Sequence, residues 1–306
     1  MKISRRDFLK YCSLFAAAVG LSSLQLERLG SVLANPNGPS IIWLNGASCS
    51  GCSVSFLNTL NQTTDAAGVL VESINLIFHP EFMAAAGDLA VKAIRTTFEK
   101  GDYILIVEGG IPTAYAGKSC MLWTENGQEV TCVDAVKELA TRALQVIALG
   151  SCAAFGGVSA AGTNPLAVKS VSAILGSSSG SGSGSGTKSI SLPGCPIHPD
   201  MLVATLVKIL NQESFELDSF ARPKFLYDKT IHSLCALRGK PMANTYGIAE
   251  TCLMGLGCRG PKTRFACPTR LWNEGVNWCV GAGSPCLGCV EESFPGKGPL
   301  LRRPSV

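Results

Sequence analysis

The sequence contains 14 cysteines among 306 residues, and most of them stand in short motifs whose spacing suits metal binding. This number is high for a reduced enzyme, and the chain is too long for a small disulfide-stabilised scaffold. Thiolates are ligands of zinc and of iron–sulfur clusters. Metal or cluster binding is therefore the chemistry that the composition indicates, and the motifs divide into three groups.

The first group begins with a Cys-x-x-Cys motif at Cys49 and Cys52. By itself this motif is shared by zinc sites and redox-active cysteine pairs. Gly51 lets the backbone pass close to a bulky inorganic core, because glycine has no Cβ. Cys152 lies in GSCAAFGG and Cys195 in LPGCP. Four thiolates are what a cubane 4Fe–4S cluster requires.

The second and third groups lie in the last third of the chain. The second has one imidazole and three thiolates, and the third has four thiolates that end in a Cys-x-x-Cys motif. Their members are His232, Cys235, Cys252 and Cys258 in the second group and Cys267, Cys279, Cys286 and Cys289 in the third. The HxxC spacing favours a cluster for the second group. For the third, zinc competes because four-cysteine zinc sites are common, and a disulfide network is a further alternative.

Two cysteines remain in the central part of the chain. Cys120 and Cys132 flank a polar stretch, residues 125–128, that is typical of a hairpin turn. A disulfide and two free thiols are both compatible with this position.

The elements that must position the first group read as alternating strands and helices. Apolar runs at 41–44, 74–78, 103–107, 146–149 and 190–192 predict strands, and helical spacing at 82–98 and 133–144 predicts helices between them. This order predicts an α/β fold with a parallel sheet and right-handed crossovers. Such sheets carry their functional groups at the carboxyl ends of the strands. Cys49, Cys52, Glu108, Cys152 and Cys195 follow these strands, so we expect them to meet at one edge.

The remaining chain is less regular. The segment 176–186 consists of glycine and serine and predicts a flexible surface loop. After a predicted helix at 201–210 the periodicity fades, and the chain becomes rich in glycine, proline and cysteine. Such a region predicts an irregular fold stabilised by cluster ligands, since metal binding contributes directly to folding.

The first 34 residues predict an export signal. The stretch SRRDFLK at 4–10 is a twin-arginine signature, and the apolar run at 11–21 is too short to span a membrane permanently. Residues 32–34 offer a cleavage site, so Cys12 would be removed with the signal. No later apolar run reaches 18 residues, so we expect no transmembrane helix in the mature chain. The twin-arginine route exports folded proteins, which suits cofactors inserted in the cytoplasm.

The charge of the chain argues against nucleic acid as a partner. Of its 26 basic and 22 acidic residues, five and two lie in the first 34, so the remainder holds 21 basic and 20 acidic residues. Binding of nucleic acid normally needs a concentrated basic face.

Over almost its whole length the chain resembles the small subunit of periplasmic nickel-iron hydrogenases, and most closely the nickel-iron-selenium-like branch. The motifs that carry this resemblance are CSGCS at 49–53, VEGGIPTA at 107–114, GSCAAFGG at 150–157, LPGCP at 192–196, HSLC at 232–235 and NWCVGAGSPCLGC at 277–289. The resemblance implies a flavodoxin-like domain at 35–198 with the proximal 4Fe–4S cluster. It implies an iron–sulfur domain at 199–306 with the medial and distal clusters.

The same resemblance implies ligands, partners and location. The first group would hold the proximal cluster, the second the distal cluster and the third the medial cluster. The large subunit would carry the Ni–Fe site, and a c-type cytochrome or similar carrier would meet the distal cluster. Glu108 resembles a glutamate beside the proximal cluster that either supports proton movement or hydrogen-bonds the interface. The protein would act in the periplasm or on the outer face of the cytoplasmic membrane.

Two positions refine the subtype. Standard members of the family have proline where this chain has Cys279, which leaves a medial 3Fe–4S cluster with three ligands. The fourth thiolate predicts a medial 4Fe–4S cluster here, with a lower reduction potential. Oxygen-tolerant relatives have cysteine where this chain has Gly51 and Gly157. The glycines predict that the oxygen-tolerant form of the proximal cluster is absent.

The predicted function is therefore an electron-transfer subunit that relays electrons between the Ni–Fe site of its partner and an external carrier, in hydrogen oxidation or proton reduction. Two alternatives compete with it. One is an iron–sulfur subunit of the quinone-reductase type, which lacks the twin-arginine signal and the eight candidate ligands after residue 230. The other is a zinc or disulfide protein without enzymatic function.

Overall fold

The computed structural model describes residues 40–57, 75–176, 189–273 and 275–296. The predicted signal at 1–34 and nearly all of the predicted loop at 176–186 lie outside these ranges. The strands are β1 (Ser40–Asn45), β2 (Asn75–Phe78), β3 (Tyr103–Glu108), β4 (Met121–Glu125), β5 (Gln128–Thr131), β6 (Gln145–Leu149) and β7 (Ser189–Leu192). The α-helices are α1 (Gly51–Leu57), α2 (Asp88–Lys100), α3 (Cys132–Ala140), α4 (Gly150–Phe155), α5 (Val171–Leu175), α6 (Pro199–Leu210), α7 (Ile231–Leu234) and α8 (Cys267–Arg270).

Five strands form a parallel sheet in the order β2-β1-β3-β6-β7. This is the flavodoxin-like order, and it confirms the predicted fold class. The strand ends are in register, because Asn45 pairs with Glu108, Glu108 with Leu149, and Leu149 with Leu192. One row of residues therefore marks the carboxyl edge of four strands. The chain order reverses between β1 and β3, where ligand sites of this fold occur.

The core consists of two layers, one on each face of the sheet. Alternate residues of β1 point to opposite faces, so Ile42 packs with α2 and α3 whereas Trp43 packs toward α1 and α6. The second layer extends into the C-terminal part of the chain, where Phe265 and Val290 are buried in the same cluster as Trp43. The irregular C-terminal region is therefore packed on one face of the sheet.

The helices differ from the predictions mainly at their ends. Helix α2 begins at Asp88 rather than at residue 82, because Gly87 has φ of 58°, a left-handed value that interrupts a helix. Helix α3 ends at Ala140 rather than 144, and Leu144 instead donates its N–H to Tyr103 O beside the sheet. Helix α6 begins two residues before the predicted 201, with a proline in its first turn.

The hairpin and the irregular C-terminal region both agree with the sequence. Strands β4 and β5 pair antiparallel around a two-residue turn in which Asn126 and Gly127 both have positive φ. Asparagine followed by glycine is the preferred sequence of this tight turn. After α6 the described chain forms only short helices and isolated bridges. None of the helices in the described ranges has both the length and the apolar composition of a membrane-spanning segment.

Candidate functional site

The structure brings the first group of thiols together at the carboxyl edge of the sheet. Cys49 and Cys52 follow β1, Cys152 lies in α4 directly after β6, and Cys195 follows β7. The Cys195 thiol interacts electrostatically with those of Cys152 and Cys49, and the Cys52 thiol with those of Cys195 and Cys152. Cys52 is buried whereas Cys49 and Cys195 are exposed. The group is therefore closed toward the sheet and open toward the surface.

Glycines leave space around these sulfur atoms. A Cβ on Gly150, whose φ is 82°, would lie 2.6 Å from the Cys52 sulfur, and a Cβ on Gly51 would lie 3.1 Å from the Cys49 sulfur. A side chain at either position would occupy the volume next to a thiol. The glycines that the sequence places in these motifs thus form a cradle for a group larger than a hydrogen-bonding side chain.

Glu108, at the end of β3, holds the loop that carries the first two thiols. Its carboxylate is 2% exposed. One oxygen accepts hydrogen bonds from the Ser48 hydroxyl at 2.9 Å and the Cys52 N–H at 3.1 Å. The other accepts from the Ser53 N–H at 3.1 Å, the Ser53 hydroxyl at 2.5 Å and the Trp43 indole at 3.3 Å. The carboxylate therefore fixes the backbone of Cys52 by direct contact.

The second group is assembled around helix α7. The Cys235 thiol interacts electrostatically with those of Cys258 and Cys252. A Cβ on Gly260 would lie 3.4 Å from the Cys258 sulfur and 3.7 Å from the His232 backbone nitrogen. The start of α7 and Cys258 are therefore neighbours, and the structure brings the three thiols of this group together beside His232.

The third group is also assembled, and it includes Cys279. The Cys267 thiol interacts with those of Cys279 and Cys286, and the Cys289 thiol interacts with all three others. Burial raises the pKa of Cys267 to about 12 and that of Cys286 to about 11. Burial likewise raises the pKa of Cys195 in the first group to about 11. Buried thiols of this kind stay protonated unless a cation compensates the thiolate charge.

The three groups touch one another in a definite spatial order. The Cys195 N–H of the first group donates a hydrogen bond to the Cys289 thiol of the third. The Cys286 N–H of the third group donates to the Cys258 sulfur of the second at 3.3 Å. The Cys279 thiol also interacts with that of Cys258. The third group in the sequence therefore lies between the first and the second in space.

The donors and acceptors fit iron–sulfur clusters. Backbone N–H groups point at the sulfur atoms, from Ile197 to Cys52, from Leu237 to Cys235 and from Gly288 to Cys286. Hydrogen bonds to ligand sulfurs are one means by which proteins tune such clusters. The thirteen cysteines of the described ranges are free thiols. Within those ranges no three His, Cys, Asp or Glu side chains converge on a point that would hold a single metal ion. Cubane thiolates need not converge in that way, because each binds a different iron.

Arg222 is an organising residue that sequence reasoning did not identify. Its guanidinium is 2% exposed and forms ion pairs with Asp218 at 2.8 Å and Glu291 at 3.0 Å. It also donates to Val290 O at 3.0 Å, one residue after Cys289. The contacts with Val290 and Glu291 join segments almost 70 residues apart, so no local pattern reveals them. Ser53, by contrast, belongs to the CSGCS motif, and its position beside Cys52 is a signal that local reading could have used.

Comparison with known proteins gives two family matches that together cover the site. The family "NADH ubiquinone oxidoreductase, 20 Kd subunit" matches residues 49–209. The family that describes the C-terminal part of the NiFe/NiFeSe hydrogenase small subunit matches residues 227–301.

Individual relatives extend over nearly the whole chain. The periplasmic NiFeSe hydrogenase small subunit of Desulfomicrobium baculatum is 37% identical over 98% of this chain and 99% of its own. The periplasmic NiFe hydrogenase small subunit of Solidesulfovibrio fructosivorans is 36% identical over 95% of this chain and 90% of its own. The structure of the NiFeSe hydrogenase of Desulfovibrio vulgaris Hildenborough aligns with a TM-score of 0.78 at 37% identity, covering 87% of this chain and 98% of that one. The chain therefore belongs to the family of NiFe and NiFeSe hydrogenase small subunits, which are parts of an oxidoreductase.

Proposed function

We propose that this chain is an electron relay with three iron–sulfur clusters, which connects the Ni–Fe site of a large subunit to an external electron carrier. The observation that carries the proposal is the continuous path of cysteine groups, joined by the hydrogen bonds from Cys195 to Cys289 and from Cys286 to Cys258. Clusters bound along this path would supply one-electron transfer. The path needs both the sheet edge and the C-terminal region, and buried residues of both parts belong to one core cluster.

The proposed ligands follow the three groups. The proximal cluster is assigned to Cys49, Cys52, Cys152 and Cys195, the medial cluster to Cys267, Cys279, Cys286 and Cys289, and the distal cluster to His232, Cys235, Cys252 and Cys258. Residues 35–198 would then form the domain with the proximal cluster, and residues 199–306 the domain with the other two. The order proximal, medial, distal agrees with the order in which the groups touch.

The medial cluster is proposed to be 4Fe–4S. The supporting observation is that the Cys279 thiol is an electrostatic neighbour of Cys267 and Cys289 rather than a residue turned away from them. A fourth thiolate adds negative charge to the site and so lowers its reduction potential. This lower potential brings the medial site closer to the potentials of its neighbours.

The proximal site is proposed to lack the additional cysteines of oxygen-tolerant relatives. A Cβ on Gly157 would lie 2.8 Å from the Cys152 backbone nitrogen, and the residue has φ of 48°. A side chain at this position would therefore displace the backbone of a proposed ligand. Glu108 is proposed to position Cys52, since it accepts hydrogen bonds from that residue and its neighbours.

The proposed partners are a large subunit with the Ni–Fe site and a carrier such as a c-type cytochrome. The first group is open to the surface through Cys49 and Cys195, which offers the large subunit access to the proximal cluster. The carrier would bind near His232, beside the exposed basic residues Lys229 and Lys262. The twin-arginine signal and the periplasmic relatives support export to the periplasm.

Metal and sulfide analysis of the purified heterodimer tests the proposal. We expect about twelve irons bound by the small subunit, with a matching amount of acid-labile sulfide, because three cubanes contain four irons each. Abundant zinc with no iron would refute the relay and favour a structural metal protein. The quinone-reductase alternative accounts for residues 49–209 but gives no role to the eight candidate ligands after residue 230.

A further inference from the structure

The thiols of Cys120 and Cys132 lie outside the three groups and face each other across the base of the β4–β5 hairpin. Met121 pairs with Thr131 in the antiparallel ladder, so Cys120 and Cys132 are the next opposed positions. The Cys132 N–H donates to Cys120 O at 2.8 Å, which confirms that the pairing continues to them. Opposed residues in such a ladder have Cα atoms about 4.5–5.5 Å apart. This separation falls inside the range that a disulfide spans.

The side chains are also arranged for a bond. The two thiols are already hydrogen-bonded to each other. Cys120 is partly accessible whereas Cys132 is fully buried. The hydrogen bond from Cys132 lowers the pKa of Cys120, whereas the same bond and burial raise the pKa of Cys132. The partly accessible thiol of Cys120 can therefore react first, and the buried thiol of Cys132 lies directly behind it.

The pair adjoins the loop that carries the first group of thiols. A Cβ on Gly46 would lie 3.2 Å from the Cys132 sulfur, and Gly46 begins the segment that leads to Cys49. Gly46 is fixed in turn by donating its N–H to Glu108 O at 2.8 Å. Cys132 also begins helix α3, which packs against the sheet. A disulfide between Cys120 and Cys132 would therefore link the hairpin to the start of α3, directly beside Gly46 of the loop that leads to Cys49.

We propose that Cys120 and Cys132 are a modification site, a dithiol that is converted to a disulfide by thiol–disulfide exchange after export. The proposal rests on the proposed export of the folded chain, because the exchange needs an oxidant of the small-molecule or protein disulfide class, which an oxidising compartment supplies. The disulfide closes the hairpin and supports the loop that holds Cys49.

The chemistry of the exchange is balanced in two steps. The Cys120 thiolate attacks one sulfur of the oxidant disulfide, forms a mixed disulfide and releases the first thiolate of the oxidant. Cys132 then loses its proton and attacks the Cys120 sulfur, which forms the internal bond and releases the second thiolate. The two cysteines lose two protons and two electrons in total, and the oxidant disulfide is reduced to two thiols.

Trapping of thiols in the heterodimer tests the proposal. Protein is purified without oxygen from cells in which Arg5→Lys and Arg6→Lys block export, so that its dithiol has not met the oxidising compartment. The sample is divided, and one half is incubated with oxidised glutathione. Both halves are denatured in a maleimide reagent, digested without reduction and examined by mass spectrometry. We expect both cysteines to carry the reagent in the untreated half, and a peptide linked through Cys120 and Cys132, lighter by two hydrogens, in the treated half. The variant Cys120→Ser removes the accessible thiol, and its treated sample should contain no linked peptide.

Two results would overturn the proposal. One is maleimide on both cysteines of the treated protein. The other is Cys120 carrying glutathione that Cys132 does not displace. Iron and acid-labile sulfide are measured on the same samples. A low iron content would count against the proposed clusters, whereas an unoxidised dithiol would count against the proposal made here. In cells, the dithiol should be reduced in a variant with Arg5 and Arg6 replaced by lysine, which blocks export, and oxidised in the exported protein. A disulfide between Cys120 and Cys132 in the variant that is not exported would contradict the proposal that oxidation follows export.

Discussion

Replacement of Glu108 by glutamine removes one charge and one acceptor from the end of β3, where the carboxylate holds the loop that carries Cys49 and Cys52. The NH2 group of the glutamine replaces one carboxylate oxygen and cannot accept the hydrogen bonds of that oxygen. In the less disruptive orientation it faces the Ser48 hydroxyl and the Cys52 N–H, which are two donors. In the other orientation it faces three donors, two of Ser53 and one of Trp43. The Ser48 hydroxyl can rotate, but the buried Cys52 N–H is left unpaired. An unpaired buried donor costs about 1–3 kcal/mol, and the bonds that remain lose the strength of a charged acceptor.

We therefore expect Glu108→Gln to lower the free energy of unfolding by about 2–4 kcal/mol, after the smaller desolvation cost of the amide is deducted. The assay is the urea midpoint at which the heterodimer loses its visible cluster absorbance. With a slope of about 3 kcal/mol per molar urea, the midpoint should fall by about 1 M. Burial and, after it, the negative charge of Glu108 raise the pKa of Cys52. Removal of that charge should therefore raise the reduction potential of the proximal cluster.

Glu129→Gln is the matched control, because it makes the same chemical change on the exposed hairpin. Glu129 forms a surface ion pair with Lys118 at 3.4 Å, and such pairs contribute about 0–1 kcal/mol. Equal urea midpoints for the two variants would refute the positioning role of Glu108. A proximal potential that falls rather than rises in Glu108→Gln would refute its electrostatic role.

Three further predictions concern other parts of the chain. Cys279→Pro should convert the medial cluster to 3Fe–4S and raise its reduction potential. The 3Fe–4S cluster should give a new electron paramagnetic resonance signal in the oxidised heterodimer. An unchanged spectrum would contradict the role of Cys279. Arg222→Leu should lower the free energy of unfolding by about 3–5 kcal/mol, because it leaves the buried side of two carboxylates without a cation. Arg95→Leu is the control, since Arg95 and its two carboxylates are more exposed, and it should lower the urea midpoint less. His79 is buried, and desolvation lowers its pKa to about 4. As the pH falls, His79 is therefore protonated in the unfolded chain before it is protonated in the folded chain. Stability should therefore be complete above about pH 6.5 and decline by up to about 3 kcal/mol toward pH 4, and His79→Phe should reduce this slope.

Most of the sheet could be predicted from the sequence, because β1, β3, β6 and β7 are almost wholly buried and so consist largely of apolar runs. The run at 103–107 is an example, since every residue of β3 is buried. The start of α2 could not be predicted, because Phe82 and the alanines after it have helical spacing. In the structure the Phe82 ring instead stacks on the His79 ring with centroids 3.9 Å apart. Gly87 has a positive φ, so a regular helix can begin only after it. A tertiary contact and one left-handed residue thus outweighed a local preference.

The meeting of the first cysteine group at the sheet edge could also be predicted, because register in a parallel sheet places the ends of its strands together. The spatial order of the three groups could not be predicted from spacing. It depends on contacts such as Cys195 with Cys289 and Cys258 with Cys286, which join irregular segments without periodic patterns. The contacts of Arg222 with Val290 and Glu291 are of the same kind. Long-range polar contacts of this type leave no signal in the local sequence.

Stepwise reduction of the heterodimer by hydrogen tests the central claim most directly. The protein is labelled with iron-57, exposed to hydrogen as the only reductant and frozen at intervals for Mössbauer spectroscopy. We predict three cubane clusters in the small subunit, all of which become reduced, with loss of distal reduction when the medial ligand Cys289 is replaced by alanine. Fewer than three clusters, or reduction of the distal cluster that persists without the medial one, would contradict the relay.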